Sequence, residues 1–416
     1  MNVALQLKET QLIKDIWQGI PNQVLADNQR IAFPKDLKLD WENASNGQAF
    51  SYICNPNGTI RWIFPDDQQY PVHLALYNSA HWKARGYKIA THLAFMTGQQ
   101  KRLSNGKLWL GEFEQSSLAK AIGQVEHDGY AIFTGTVGEN RKGIVAINQG
   151  NQTTHFLKIP LTEESFENVA NEAEILNQIQ AFELQTLIVP EVKHIAGQGS
   201  VLLSNVRPKD GREGNRLAVS HIKALEELYA TTKRSARLGN LSYYQEIAQN
   251  MKRIRLLDFV DQSLNPRQIM RIVNRLDIEF ARLSPDESVK VAWAHGDFTS
   301  WNMYHSEKAL HVYDWELARP DMPILYDAFH YLIQTGVLLR RQSNKQIEKE
   351  LLRAQRLPGM QALLEQYGLN FEEQLRRYLL HLVSYYLRIY MDEPKLHMQV
   401  QWLLDCWDYA LNRNVK

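Results

Sequence analysis

The sequence predicts an α+β fold with a sheet-rich first half and a helical second half, and three observations predict it. Residues 129–161 hold short apolar runs separated by turn residues, the mark of antiparallel strands. Residues 162–179 follow with apolar side chains at helical spacing. From about residue 216 onward most apolar patterns have the 3.6-residue period of helices. At 416 residues the chain exceeds what one hydrophobic core usually serves, so more than one unit is expected. The expected divisions are a small α+β accessory domain over 1–125, a sheet-rich lobe over 126–206 and a helical lobe over 207–416.

The first 125 residues mix signals. After an amphipathic start come a strand-like TIRWIFPDD (59–67), a second apolar run PVHLALYN (71–78) and a helix-like AHWKARGYKIATHLAF (80–95). Pro65 and Pro71 interrupt the strand pattern, and no chemistry is announced. Three strands then follow, GYAIFTGTVG (129–138), IVAI (144–147) and TTHFLKIPL (153–161), joined by GENRKG and NQGNQ turns. Thr162 is the expected N-cap of a helix whose apolar face is Phe166, Val169, Ala173, Leu176 and Ile179. Two further strands are expected at 189–196 and 200–206, then helices at 216–232, 243–260 and 265–283 and several after 322. The short apolar segments VKVAWA (289–294) and ALHVYDW (309–315) flank the polar stretch HGDFTSWN (295–302).

Composition excludes several classes of function. The 47 basic and 46 acidic residues leave a formal net charge of +1, so no global field gathers nucleic acid or an anionic membrane. No apolar run approaches the roughly 18 residues of a membrane span. Cys54 and Cys406 fit neither a disulfide framework nor a metal-ligand spacing, which suits a reducing compartment and two buried thiols. The N-terminus lacks an uninterrupted apolar core, being broken by Lys8, Glu9, Lys14 and Asp15, and a cytoplasmic protein is expected.

The chemistry concentrates at Asp297, Asn302 and Asp314. A loop followed by a hairpin would bring these three oxygen-bearing side chains to one end of the hairpin. Hard oxygen ligands suit Mg²⁺, which takes a few protein ligands and completes its shell with water and phosphate oxygens. Phosphoryl transfer needs a positioned hydroxyl, neutralised phosphate oxygens and a held metal, with little covalent chemistry from the protein. Asp297 is the candidate to accept the hydroxyl proton, and Asn302 and Asp314 are the candidates to hold the metal.

The combined motifs HGDFTSWN (295–302), VYDWE (312–316) and LYDAFHYL (325–332) resemble the aminoglycoside phosphotransferase and choline kinase-like superfamily, whose fold is similar to that of protein kinases. The resemblance covers about 129–335, the C-terminal helices loosely, and none of the first 125 residues. It implies a bilobal kinase-like fold, with an antiparallel-sheet N-lobe and a helical C-lobe, and the cofactors ATP and Mg²⁺. Position by position it implies that Asp297 is the catalytic Asp, Asn302 and Asp314 the metal ligands, and His295 the residue that orients the loop. It further implies that Lys158 meets the α- and β-phosphates and that Glu172 pairs with it, Glu174 being the alternative on another side of the helix. The turn TGTVGENRKG would cover the phosphates, although Gly135 and Gly138 are separated by two intervening residues rather than one. Ser204 to Val206 is where a hinge would present backbone groups to the adenine.

Other polar residues have plainer readings. Asp327 is expected to cap its own helix. Glu316 either supports the metal or faces solvent. The basic runs KRSAR (233–237) and KRIRLL (252–257) are expected to be solvated faces, with binding of an anionic acceptor as the alternative. Core packing is the expected use of Trp62, Trp82, Trp301 and Trp315, with stacking on a sugar ring as the alternative.

The acceptor class is read from charge. Residues 340–416 hold 12 Lys/Arg against 9 Asp/Glu, a difference of +3 where a polycationic acceptor would call for carboxylates. A neutral or anionic hydroxyl compound such as a sugar or glycan intermediate is expected, with aminoglycoside- or choline-type acceptors as alternatives. A further alternative is a catalytically silent nucleotide-binding scaffold, with residues 1–125 as its protein-binding module.

Overall fold

The fold is described from a computed structural model that covers residues 3–18, 39–40, 47–76, 82–111, 113–195, 199–255, 264–393 and 395–413. The first elements are α1 (Val3–Gln18), β1 (Leu39–Asp40), β2 (Gly47–Cys54), β3 (Ile60–Pro65), α2 (Trp82–Met96), β4 (Gly106–Gly111) and α3 (Ser117–Ile122). Next come β5 (Gly129–Phe133), β6 (Lys142–Gln149), β7 (Gln152–Pro160), α4 (Glu163–Gln180), β8 (Leu187–Ile188), β9 (Val192–Ile195) and β10 (Val201–Ser204). The remainder is α5 (Val219–Thr232), β11 (Arg234–Arg237), α6 (Ser242–Ile254), α7 (Pro266–Ala281), β12 (Ser288–Ala294), β13 (Met303–His305), β14 (Leu310–Val312) and β15 (Arg319–Pro323), then α8 (Tyr326–Gln334), α9 (Asn344–Gln355), α10 (Pro358–Tyr367), α11 (Phe371–Asp392) and α12 (Met398–Asn412). This is the α+β, sheet-then-helix arrangement the sequence predicts. The chain divides into two compact units, Met1–Asn177 with Pro190–Asn205, and Gln178–Val189 with Val206–Lys416.

The first unit is built on a nine-stranded antiparallel sheet in the order β1-β4-β2-β3-β5-β6-β7-β10-β9. The division expected at residue 125 is corrected here, because the sheet runs straight across it. β3 pairs with β5, Trp62 opposite Phe133 and Ile63 opposite Ile132, so the backbone groups of one segment are satisfied by the other. Their cores are also one: Ile13, Ile16 and Trp17 of α1 pack in the same cluster as Phe50, Ile132, Val145 and Leu157. Each such side chain contributes about 1.5–3 kcal/mol on full burial, so neither segment keeps its core without the other. The apolar run after Pro71 forms a single 3-10 turn, Val72–Leu76, rather than a strand; the tail of that run, 77–78, lies outside the described residues.

β5 ends at Phe133, five residues short of the expected strand, because Gly135 turns the chain at φ 81°. α4 starts where expected. The Ser165 N–H donates to the Thr162 hydroxyl at 3.2 Å and the Thr162 N–H donates to the Ser165 hydroxyl at 2.9 Å, a reciprocal cap. Of its expected apolar face, Val169, Ala173, Leu176 and Ile179 are buried and Phe166 is exposed.

The second unit is helical with two small sheets, β11-β12-β15 and β13-β14-β8, the β14–β8 pair being parallel. α11 runs through its interior, with Tyr378, Val383 and Leu387 fully buried. The basic run 233–237 is the edge strand β11, and its Arg234 and Arg237 pair with Asp321 and Asp286. In the second basic run Arg253 and Arg255 pair with Asp392 and Asp277. These are ion-paired surfaces, as the plainer reading expected. Cys406 is buried, its thiol pushed up to about 12 by burial, whereas Cys54 is only half-buried. Among the described residues no helix is long and apolar enough to cross a membrane.

Candidate active site

β12 delivers the chain into the loop 295–302, and the loop is held by its own backbone before any side chain acts. Gly296 has φ 84°, and a Cβ there would lie 2.2 Å from the Leu317 carbonyl oxygen, so glycine is required twice over. The amide N–H groups of His295 and Gly296 donate to the two carboxylate oxygens of Asp327 at 2.7 and 3.1 Å. Asp327 is fully buried, and burial pushes its carboxyl above the usual range against the opposing pull of His295 and these two N–H groups. Asp327 therefore fastens the loop, and the expectation that it caps its own helix is corrected, since Leu325 occupies that N-cap with no side-chain cap. Gly296→Ala is expected to lower stability by about 2–4 kcal/mol, read as a fall in Tm, because it combines left-handed strain with a backbone clash.

His295 lies wholly inside, edge-on to Trp315 at 4.7 Å. Its Nδ1 accepts the Asp297 N–H at 3.2 Å, so its proton is on Nε2, which donates to the Tyr313 carbonyl at 3.0 Å. One imidazole thus joins the loop to the strand end that carries Asp314.

The β13–β14 hairpin pairs Met303 with Val312, and the Tyr313 N–H donates to the Asn302 carbonyl at 3.0 Å. Asn302 and Asp314 consequently emerge at the same end, as the sequence suggests. The Asn302 Nδ2 donates to Asp297 Oδ2 at 2.8 Å and to the Asp297 carbonyl at 3.0 Å, which turns its Oδ1 away from Asp297. Asp314 adopts φ 69°, ψ 57°, a left-handed conformation uncommon outside glycine and enriched at functional sites. A carboxylate oxygen of Glu316 lies within 4.8 Å of one of Asp314, and Glu316 is buried rather than turned to solvent. These oxygen donors fit a hard divalent cation.

In the first unit Lys158 lies on β7, opposite Ile144 of β6 and Val201 of β10. Its Nζ is 2.6 Å from Oε2 of Glu172 on α4, with side-chain exposures of 9% and 0%. Glu174, the alternative partner, is exposed. In the turn between β5 and β6, a Cβ on Gly135 would lie 2.2 Å from the Lys142 carbonyl oxygen, whereas one on Gly138 meets nothing within 4 Å. Only the first glycine is required by the backbone. The Arg141 Nε donates to the Thr134 carbonyl at 3.2 Å and braces the base of this turn. At the candidate hinge the N–H groups of Ser204 and Asn205 already donate to the Glu191 and Thr154 carbonyls.

One side chain that the sequence did not single out meets the Asp297 carboxylate itself. His330 Nε2 is 3.1 Å from Asp297 Oδ1, and the ring is buried, whereas the Asp297 side chain is 28% exposed. The available signal was its place three residues after Asp327, on the same face of α8. Among the tryptophans, Trp62 and Trp315 serve the core as expected, the side chain of Trp82 lies outside the described residues, and Trp301 is 37% exposed.

Residues 139–366 match the phosphotransferase enzyme family. No curated protein matches the chain. Among solved structures, an ADP-bound aminoglycoside phosphotransferase is 13% identical, with 71% of this chain and 98% of that one covered at a TM-score of 0.43. An aminoglycoside 2′-phosphotransferase in complex with GDP is 13% identical, covering 72% and 97% at 0.46. A choline/ethanolamine kinase family protein from Mesorhizobium loti is 13% identical, covering 68% and 87% at 0.39.

Proposed function

The chain belongs to the phosphotransferase enzyme family, and from that premise we propose that it transfers the γ-phosphoryl group of ATP to a hydroxyl of a neutral sugar- or glycan-type acceptor. The observation that carries the reading is Asp297, a partly exposed carboxylate whose two oxygens are fixed by Asn302 and His330. A base held in this way can meet an acceptor hydroxyl in one orientation and take its proton as the phosphorus–oxygen bond forms.

Asn302 Oδ1 and Asp314, with Glu316 beside it, would hold Mg²⁺, which supplies neutralisation of the phosphate oxygens. Lys158, paired with Glu172, is suited to the α- and β-phosphates. The turn 134–141 is suited to cover them with backbone N–H groups. Residues 1–125 support that turn: the Ile60 N–H donates to Glu9 of α1 at 3.2 Å, Glu9 attracts Arg141, and Thr134 donates to the Ile60 carbonyl at 2.7 Å.

The excess of basic residues in 340–416 speaks against a polycationic acceptor, and the partly exposed Trp301 side chain supports a sugar-type ring. Trp301→Ala is expected to raise the acceptor KM about tenfold and leave the ATP KM unchanged, as loss of one stacking contact does. The defining experiment measures ADP release from Mg-ATP with neutral sugars, aminoglycosides and amino alcohols. Release dependent on a neutral sugar is expected. Release only with the amines would overturn the acceptor class, and nucleotide binding without release for any acceptor would leave a scaffold.

A further inference from the structure

His330 has no assigned task, yet its buried ring meets the Asp297 carboxylate directly. Its buried ring lies nearly parallel to that of Tyr326, with centroids 6.2 Å apart, and nearly perpendicular to that of Tyr378 at 6.1 Å. Tyr326 is pinned in turn, its hydroxyl 3.0 Å from His381 Nδ1, and His381 Nε2 lies 3.2 Å from the Glu246 carboxylate that Arg319 also pairs with. Both nitrogens of His330 face defined groups: Nε2 faces Asp297 Oδ1 at 3.1 Å and Nδ1 faces the Tyr378 hydroxyl at 3.5 Å.

We propose that His330, oriented by Tyr378, is a positioning residue for phosphoryl transfer: its Nε2–H fixes the rotamer of Asp297 so that the outer lone pairs of the carboxylate face the acceptor hydroxyl. The inference rests on the reading of Asp297 as the base. Geometry assigns the tautomer. An acceptor carboxylate at Nε2 calls for a proton there, which leaves Nδ1 to accept from the tyrosine hydroxyl. Tyr378 at the inner end is fully buried, and burial pushes its phenol well above the usual range, which suits a donor that holds the ring. The contact at Nε2 therefore holds Asp297 from the buried side.

Asn302 alone does not fix the carboxylate. It reaches one oxygen, Oδ2, and a carboxylate held at one oxygen still swings about that contact. The second contact, from the opposite side, removes this freedom, and an error of about 1 Å at a reacting group costs about 10²-fold in rate.

The test compares His330→Phe, His330→Gln, Tyr378→Phe and Asp297→Asn in kcat, both KM values and thermal stability, with ¹⁵N NMR of the His330 ring. His330→Phe is expected to lower kcat about 10²-fold with the ATP KM unchanged. His330→Gln, whose amide places a donor near the Nε2 position, is expected to return to within about tenfold of wild type, one hydrogen bond of altered geometry. A purely structural role would give the opposite ranking, with the apolar ring tolerated better than the amide. The spectrum is expected to show an Nε2-protonated ring that changes in Asp297→Asn. Equal kcat in wild type and His330→Phe, with Asp297→Asn inactive, would overturn the inference and spare the base. An active Asp297→Asn would overturn the reading on which it rests.

Discussion

Asp297→Asn is expected to reduce kcat by about 10²–10⁴-fold, the usual contribution of a positioned general base, while the ATP KM and the melting temperature stay near wild type. The substitution conserves shape, and the amide can still meet one of the two groups, Asn302 and His330, that hold the carboxylate. It cannot take a proton. A kinetic comparison at saturating Mg-ATP, with circular dichroism to check the fold, decides this. A fall in kcat accompanied by an equal fall in folded protein would move Asp297 from chemistry to structure.

The second large effect is expected at the Lys158–Glu172 pair. With side-chain exposures of 9% and 0%, removing either partner leaves an uncompensated buried charge, and a loss of about 3–5 kcal/mol is expected for Lys158→Met or Glu172→Leu alone. The double variant separates the two roles of the pair. Replacing a buried ion pair by apolar residues of similar volume is often neutral for stability, so the double variant is expected to regain most of the lost Tm. Its activity is expected to stay about 10²-fold or more below wild type, since the phosphates lose a preorganised cation. Chemical denaturation of the four species and their kcat/KM values check both halves. Recovery of activity with stability would mean that the pair serves only the fold.

The residues of the candidate site were legible because their chemistry is local in sequence. Asp297 and Asn302 share one loop, and the short hairpin that follows fixes where Asp314 must emerge. Lys158 and Glu172 were reachable through the resemblance, and their helical spacing separates Glu172 from Glu174. The contacts that were not legible are the ones made across the chain. Asp327 reads as a helix cap because residue type and position suit one, and its bonds to His295 and Gly296 exist only once α8 packs against the loop. The contact of His330 with Asp297 likewise exists only once α8 packs against the loop. The boundary at 125 failed at a strand edge. Nothing in the β3 or β5 sequence names its partner, and a composition change marks a change in texture, not the end of a hydrogen-bonded sheet.

Single-turnover transfer from γ-labelled ATP follows the proposed movement of the phosphoryl group to an acceptor hydroxyl with Asp297 as base. The label is expected in a phosphomonoester of a sugar-type acceptor, at a rate that collapses in Asp297→Asn. Label found only in inorganic phosphate, or in an amine-bearing acceptor alone, or transferred equally well by Asp297→Asn, would contradict it.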